Sequence, residues 1–336
     1  FRSLADFAGA DRTASLNMGI DPRLNAALPA NYHQNGGSAG EGFLVPAEYR
    51  QQIWELVFSA GDLLAAVNPE PTSSNIVGIT KDETTPWGSS GVQAYWRAEA
   101  GQMTASKAAV NNVMVPLHEL YAFVVATDEL LSDAPRLQSR LTSKAADAIR
   151  FKASDAIAWG DGVGKPYGFM NSGALVTVSK ESGQAADTLV ALNIGKMFSR
   201  LLPQNLGNAF WMANSDTLPQ LMTLTIGNQP IWTPPNAGFA NAPGGFLLGR
   251  PIMFSEHAKT IGDVGDLTLV DPSGYYAATK AGGGIDFAAS IHLYFDYAAT
   301  AFRWTFRMGG QPFMTAPVSP KNGSSTKSHF VALEAR

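Results

Sequence analysis

Apolar residues recur every three or four positions through one stretch of this chain more cleanly than anywhere else. Leu137, Leu141, Ala145, Ala148, Ile149, Ala156 and Ile157 fall on one stripe. Arg136, Arg140, Lys144, Asp147, Arg150 and Asp155 fall mostly off it. The pattern predicts a helix of about 24 residues, a rod of roughly 36 Å. Ser132 or Asp133 suits its N-cap, and Pro135 suits its first turn, where a missing N–H costs nothing. Gly160 and Gly162 stop it. A helix this long predicts a spine with other elements laid on it.

The flanking patterns differ. Residues 1 to about 41 carry no clear periodicity and include the polar, Gly-rich run NYHQNGGSAGEG, which predicts an extended arm. Ile53, Leu56, Val57, Leu63 and Leu64 predict a short amphipathic helix ending near Gly61. Between Asn68 and Pro116, strand-like segments (Ser74 to Thr80, Val92 to Ala98, Ala109 to Val115) alternate with turn-rich breaks. They hold few core-sized side chains, and an isolated hairpin is marginal in water. This predicts an excursion that projects and packs on something else, anchored by Trp87, Tyr95 and Trp96; the competing reading is a hairpin closed on its own aromatics. Leu117 to Leu131 is apolar at both alternating sets of positions, which predicts a buried strand running into the helix.

After Gly173 the pattern is compact α+β. Asp187 is placed to cap a helix running to about Leu202, and Ser215 to cap a shorter one. AFWMA (209–213), FLLGRPIMFS (246–255) and DLTLVD (266–271) read as strands. Ile291 to Met308 reads as a strand pair or one long bent strand. Gly227 to Gly245 is a long loop rich in Pro and aromatics, typical of a contact or functional loop.

Composition narrows the function classes. A net charge of −4 gives no overall basic field to hold nucleic acid. Charged residues are 15% of the chain, well below the usual quarter, and such a surface suits cover by other subunits or a neutral polar coat. With no cysteine, disulfides, thiolate metal sites and cysteine nucleophiles are excluded. No apolar run is long enough to span a membrane, and no signal peptide is evident.

Catalytic and ligand signals are thin. The five histidines (His33, His118, His257, His292, His329) include no pair at zinc-helix spacing. No Gly-x-Ser-x-Gly elbow occurs. GDGVGKP (160–166) imitates a phosphate loop, but Trp159 stands where the first Gly is required and Pro166 where Ser or Thr is required. Asp82 with Glu83, and Asp128 with Glu129, sit in turns or at a helix start, where carboxylates cap or are solvated. No cofactor or metal site is expected.

Five motifs in order carry a resemblance. They are Gly42-Phe43-Leu44-Val45-Pro46; Thr127-Asp128-Glu129-Leu130-Leu131-Ser132-Asp133; Gly160-Asp161-Gly162-Val163-Gly164-Lys165-Pro166-Tyr167-Gly168-Phe169; Phe210-Trp211-Met212-Ala213-Asn214; and Leu248-Gly249-Arg250-Pro251-Ile252. Together they resemble the Hong Kong 97-like family of tailed-bacteriophage major capsid proteins. The resemblance implies an α+β fold of that type: an N-terminal arm (1–45), a peripheral domain (46–67, 117–172 and the C-terminal strands of 291–336), an extended loop (68–116) and an axial domain (173–290). It implies a structural protein, not an enzyme. Copies would form the hexamers and pentamers of an icosahedral shell enclosing double-stranded DNA without sequence-specific binding. A cement or decoration protein, a portal and a maturation protease are the implied partners, and the virion, assembled in the host cytoplasm, is the implied location. The first residue, Phe1, fits removal of a preceding segment by such a protease.

On this reading Trp87, Tyr95, Trp96, Arg97, Trp232, Pro234 and Pro235 are candidate inter-subunit contacts. Gly160, Gly162 and Gly164 become a hinge into the axial domain. Some family members join a loop lysine to a neighbour's asparagine, for which Lys81, Lys107 and Asn322 are the candidates here. One alternative is an encapsulin-type compartment shell of the same fold, against which the arm before Gly42 argues. Another is a carbohydrate-binding or hydrolytic protein using Trp87, Trp96, Trp211, Trp232 and Trp304. These indoles are scattered, and no carboxylate pair is tied to them.

Overall fold

The spine helix forms as its periodicity predicts. The computed structural model describes Arg12 and residues 62–133, 137–234, 244–282 and 284–336. The expected arm and most of the first amphipathic helix lie outside the described residues. A short helix α1 (Leu63–Val67) starts at Asp62, whose carboxylate accepts the Leu64 N–H at 3.0 Å. Strand β4 (His118–Thr127) leads into α2 (Asp128–Asp133), and α3 (Leu137–Trp159) is the spine, 23 residues long. The strand expected to run to Leu131 thus ends at Thr127, where Asp128 and Glu129 start a helix with acidic groups near its positive end. Ala145, Ile149, Ala153 and Ile157 form the buried stripe of α3, whereas Ala148 is exposed. Ser154 donates to Asp62 at 3.1 Å, fastening α1 to the spine.

Two sheets share the rest. The first has five strands: β1 (Glu70–Thr72), β13 (Tyr275–Lys280), β15 (Ala299–Pro312) and β14 (Asp286–Tyr294) in that order, with β4 on the other edge of β15. Ile291 to Met308 thus resolves into the turn of a strand pair. Alternation along β15 sends Phe302, Trp304 and Phe306 inward. They join Ile149, Ala153 and Ile157 of α3 and Leu63 of α1 in one core. Burial of these large side chains, each contributing about 1.5–3 kcal/mol, holds the spine on the sheet.

The second sheet has seven strands in the order β5 (Val176–Val178), β16 (Phe330–Leu333), β12 (Leu267–Val270), β6 (Phe210–Ala213), β11 (Arg250–Phe254), β10 (Phe246–Leu247) and β9 (Trp232–Thr233). Every residue of β12 and β16 is buried, as continuous apolar runs in central strands require. Helices α4 (Ala191–Ser199) and α5 (Leu218–Thr223) contribute Ile194, Met197 and Leu221 to this second core. A small ribbon, β7 (Thr225–Ile226) with β8 (Gln229–Pro230), follows α5.

Several expectations shift. The sheet boundary does not fall at 290: β13 already belongs to the five-stranded sheet, and β16 returns to the seven-stranded one. FLLGRPIMFS is a hairpin, β10–β11, turning at Leu248 and Gly249, both at positive φ (48° and 74°). Asp187 caps nothing, because it sits at φ 54°; α4 begins at Ala191 instead, with the Val190 N–H donating to Asn193 Oδ1 at 3.2 Å. Ser215 caps no helix: it opens a 3-10 turn (Ser215–Thr217) leading into α5, and Asn214 caps that turn by accepting the Asp216 N–H at 3.0 Å.

One histidine is packed onto the spine. His257 packs against Phe151 with ring centroids 4.4 Å apart and planes tilted by 38°, and its Nδ1 lies 3.8 Å from Asp155. Burial holds its pKa below the ordinary 6.5, outweighing the nearby carboxylates Asp155, Asp62 and Glu256. The folded chain therefore keeps this ring neutral while the unfolded chain protonates it. The associated stability is intact above pH 6.5 and is lost as pH falls from there through the depressed folded value. Thermal midpoints of the unassembled chain between pH 7.5 and about 5 will fall less steeply for His257→Gln than for the parent. Equal slopes would refute this.

Candidate assembly surfaces

The projecting segment is anchored at its base and bare at its end. β2 (Ile76–Lys81) and β3 (Asn111–Pro116) pair antiparallel, from Ile76 with Pro116 to Lys81 with Asn111. Between them residues 82–110 contain no strand. The strand expected at Val92 to Ala98 is absent, because that segment finds no ladder partner and side-chain propensity alone does not make one. At the base, Lys81 Nζ is buried and donates to Phe313 O at 3.0 Å and Thr315 Oγ1 at 2.9 Å; it also pairs with Glu83 at 2.6 Å. Glu83 in turn accepts the Thr315 N–H at 3.1 Å. Desolvation works against ionising Glu83, but the bonds from Lys81 and Thr315 prevail and lower its pKa. Trp87 Nε1 donates to Ser319 O at 3.0 Å. Lys81 is thereby committed to its own chain, which corrects its candidacy as a cross-linking lysine; Lys107 is exposed.

Beyond this clasp the loop has no apolar cover. Trp96 is fully exposed, and Tyr95, Val92 and Met103 are largely so. Arg97 is exposed with no polar partner among the described residues. The reading in which these aromatics close the hairpin on itself therefore fails for Tyr95 and Trp96.

The strand expected to be buried on both faces is not. Leu120, Ala122 and Val124 face the spine, while Tyr121, Phe123 and Val125 are 67%, 44% and 43% exposed on the opposite face. At its start Glu119 pairs with Arg307 at 2.7 Å. Apolar side chains on both faces of a strand, with only one face covered, mark a surface that needs an occupant.

The spine ends in a closed turn. Gly160 N–H completes the helix on Ala156 O at 2.9 Å, and Gly168 N–H returns to Gly160 O at 2.9 Å. Tyr167 N–H bonds Gly310 O at 2.8 Å, tying the turn to β15. Asn171 donates to both Trp159 O and Gly160 O, at 2.8 and 3.0 Å. Gly162 and Gly164 lie at φ 80° and 65°, so they serve backbone geometry. Gly160 and Gly168 leave no room for a side chain: an added Cβ would lie 1.9 Å from Pro166 O at Gly160, and 2.5 Å from Ala158 O and from Gly160 N at Gly168. Gly168→Ala should destabilise the fold by about 2 kcal/mol, while Gly164→Asn, with open space around it, should cost under about 1 kcal/mol. Urea midpoints of the two variants will test the order.

The Pro-rich loop is not what its sequence suggested at Trp232. That indole is buried beneath the loop's return, its Nε1 donating to Gly244 O at 3.3 Å while Gly245 turns at φ 76°. It is a core anchor, so its candidacy as a neighbour contact is corrected. Pro234 is exposed, and Pro235 lies outside the described residues.

One polar cluster was invisible in sequence. Asp271, fully buried, accepts from Asn205 at 2.6 Å and Ser273 Oγ at 2.8 Å, and its Oδ2 lies 2.7 Å from His329 Nδ1. Ser273 bonds the carboxylate and not the imidazole, so there is no nucleophile-to-base alignment. The cluster joins three distant segments as structure. Among the described residues no three His, Asp or Glu side chains converge as a metal site.

A model of the phage capsid family matches residues 41–321. The capsid of an empty GTA particle superposes with a TM-score of 0.67 at 20% identity, covering 88% of this chain and 97% of that one. A Mycobacterium phage Bobi structure gives 0.60 at 16% identity, covering 87% and 96%. A Gordonia phage Cozz structure gives 0.59 at 12% identity, covering 92% and 96%. At such identities these are likenesses of fold. No curated protein sequence matches this chain.

Proposed function

The chain belongs to the phage capsid family, and from that premise we propose that its copies close into hexamers and pentamers of an icosahedral shell around double-stranded DNA. It is a structural protein. The observation that carries the assembly reading is the uncovered apolar surface: Trp96 and Met103 on the projecting loop, and Tyr121, Phe123 and Val125 on β4. A chain that stayed alone would leave these in water, and neighbours would cover them.

On this reading residues 68–116 are the extended loop that overlaps a neighbour. The spine and the five-stranded sheet form the peripheral domain, and the seven-stranded sheet forms the axial one. The GTA capsid was computed with C5 symmetry, in keeping with fivefold assemblies. Each contact between copies is weak, and closure of the shell multiplies them. Small changes in spine bend and loop angle set the curvature. A net charge of −4 suits an inner wall that encloses phosphate without gripping it. A portal, a maturation protease and a cement protein are the partners this role calls for. The shell is assembled in the host cytoplasm and is found in the virion.

Negative-stain microscopy of the purified chain tests the proposal. Uniform shells or capsomer rings are expected. A monodisperse monomer that never assembles, at any concentration or salt, would overturn it.

A further inference from the structure

We propose that Trp96 of one copy docks into a specific pocket on a second copy, between the C-terminal half of α3 and the start of β4. This rests on the shell reading and names where the loop lands. The donor is the loop's end. Trp96 is fully exposed and immediately precedes a tight turn, in which the Gly101 N–H bonds Ala98 O at 3.1 Å. Arg97 and Glu99 follow it, and neither has a polar partner among the described residues. The tip thus presents one large indole followed within three residues by a free cation and a free carboxylate.

The acceptor is a cavity of about 220 Å³ with an apolar floor of Leu120, Ala156, Trp159 and Met308. Lys152 and Asp155 also line it, as do His118, Glu119 and Lys165, of which Glu119 is already paired with Arg307 and Lys165 with Asp161. Positions 152, 155, 156 and 159 share one stripe of the spine helix, and Leu120 of β4 and Met308 of β15 close the cavity opposite them. Lys152 is exposed and has no ion pair among the described residues, while Asp155 is only partly covered. The two surfaces therefore match in kind: indole to apolar floor, Glu99 to Lys152, Arg97 to Asp155. A desolvated aromatic anchor ringed by charge pairs is the usual form of an energetically dominant contact. The outer face of β4 is apolar too, but its alternating side chains stand on a flat sheet and offer no such recess. A larger cleft of about 480 Å³ lies at the loop's own base, walled by Asp82 to Trp87, and would move with the loop it had to receive.

The chain has no cysteine, so paired cysteines report this contact cleanly. Glu99→Cys combined with Lys152→Cys, oxidised after assembly, should give a ladder of dimers and higher multimers on non-reducing gels, and neither single variant should. Shells that form without a ladder, or a disulfide confined within one chain, would overturn the proposal. Trp96→Ala should weaken assembly by about thirtyfold or more in critical concentration. Ala156→Leu, which fills the floor, should do the same while leaving the thermal midpoint of the unassembled chain close to that of the parent. Lys152→Glu should impair assembly, and adding Glu99→Lys should restore it. If Trp96→Ala impairs assembly and Ala156→Leu does not, the loop binds elsewhere and the pocket is wrong. If the parent chain itself never forms shells, it is the shell reading that fails.

Discussion

Replacing Arg336 with alanine will destabilise the fold by about 3–5 kcal/mol. The guanidinium is completely buried beside the equally buried carboxylate of Asp266, and its NH1 lies 3.4 Å from the other Asp266 oxygen. Its Nε donates to Thr188 O. Asp266 also accepts the Gly262 and Leu267 N–H groups at 3.0 and 2.6 Å. Removing the arginine leaves a charge in the interior whose two backbone bonds cannot replace a cation. The loops at 187–188 and 262–266 lose their side-chain tie and keep only the backbone bonds through residue 336, from Asp187 N–H to its O and from its N–H to Gly262 O. Urea unfolding of the unassembled chain is the measurement, with a lower midpoint and an unchanged slope expected. Asp266→Asn with Arg336→Met should cost less than the sum of the two single changes, because the orphaned charge is gone. A drop under about 1 kcal/mol for Arg336→Ala would show that the buried pair contributes no more than a surface one.

The second large effect is local. Lys81→Met breaks the clasp at the loop's base and leaves Glu83 facing Thr315 without its cation. Because Glu83 is partly open to water, the global cost should be modest, about 2 kcal/mol. The loop should feel it far more. Limited proteolysis within residues 82–110 should accelerate by about tenfold or more, and shell yield should fall while circular dichroism stays unchanged. Acid should act similarly. The Glu83 pKa is depressed in the fold, so its contribution is present above the ordinary value of 4.5 and is lost as pH falls through the folded one. Unchanged proteolysis in Lys81→Met would show that Trp87 on Ser319 alone sets the loop.

Legibility in the sequence tracked how local each feature is. The spine is readable because its stripe repeats within one helix; its rotation differs from the expectation, with Ala148 outside and Ala153 inside, and Ser132 and Asp133, expected as its cap, belong to α2. The loop's existence was readable from its poverty in core residues, but not its form, because Val92 to Ala98 has strand-like side chains and no partner strand. Asp187 has the chemistry of a cap, yet the backbone puts it in the left-handed region while Asn193 satisfies the helix start. Trp232 looked like a contact because it sits in a Pro-rich loop. Its burial depends on Gly244 and Gly245 closing over it, which proximity in sequence alone does not reveal. Lys81 with Thr315, Asp271 with His329 and Asp266 with Arg336 link residues from 58 to 234 positions apart. No window of sequence could have paired them. The double apolar face of β4 was read as burial; the covered half meets the spine, and the other half awaits a neighbour.

The place of β16 bears on when a newly made chain can become a building block. Phe330–Leu333 lies between β5 and β12, pairing with Val176–Val178 on one side and Leu267–Val270 on the other. Until the ribosome has delivered residue 333, the sheet is two fragments with bare inner edges, and the aromatic floor under Phe330 is open. Such long-range closure is slow. A chain cut before Phe330 would lack the strand that joins β5 to β12 and the ring that stacks on Phe169, and would leave both cores unsealed.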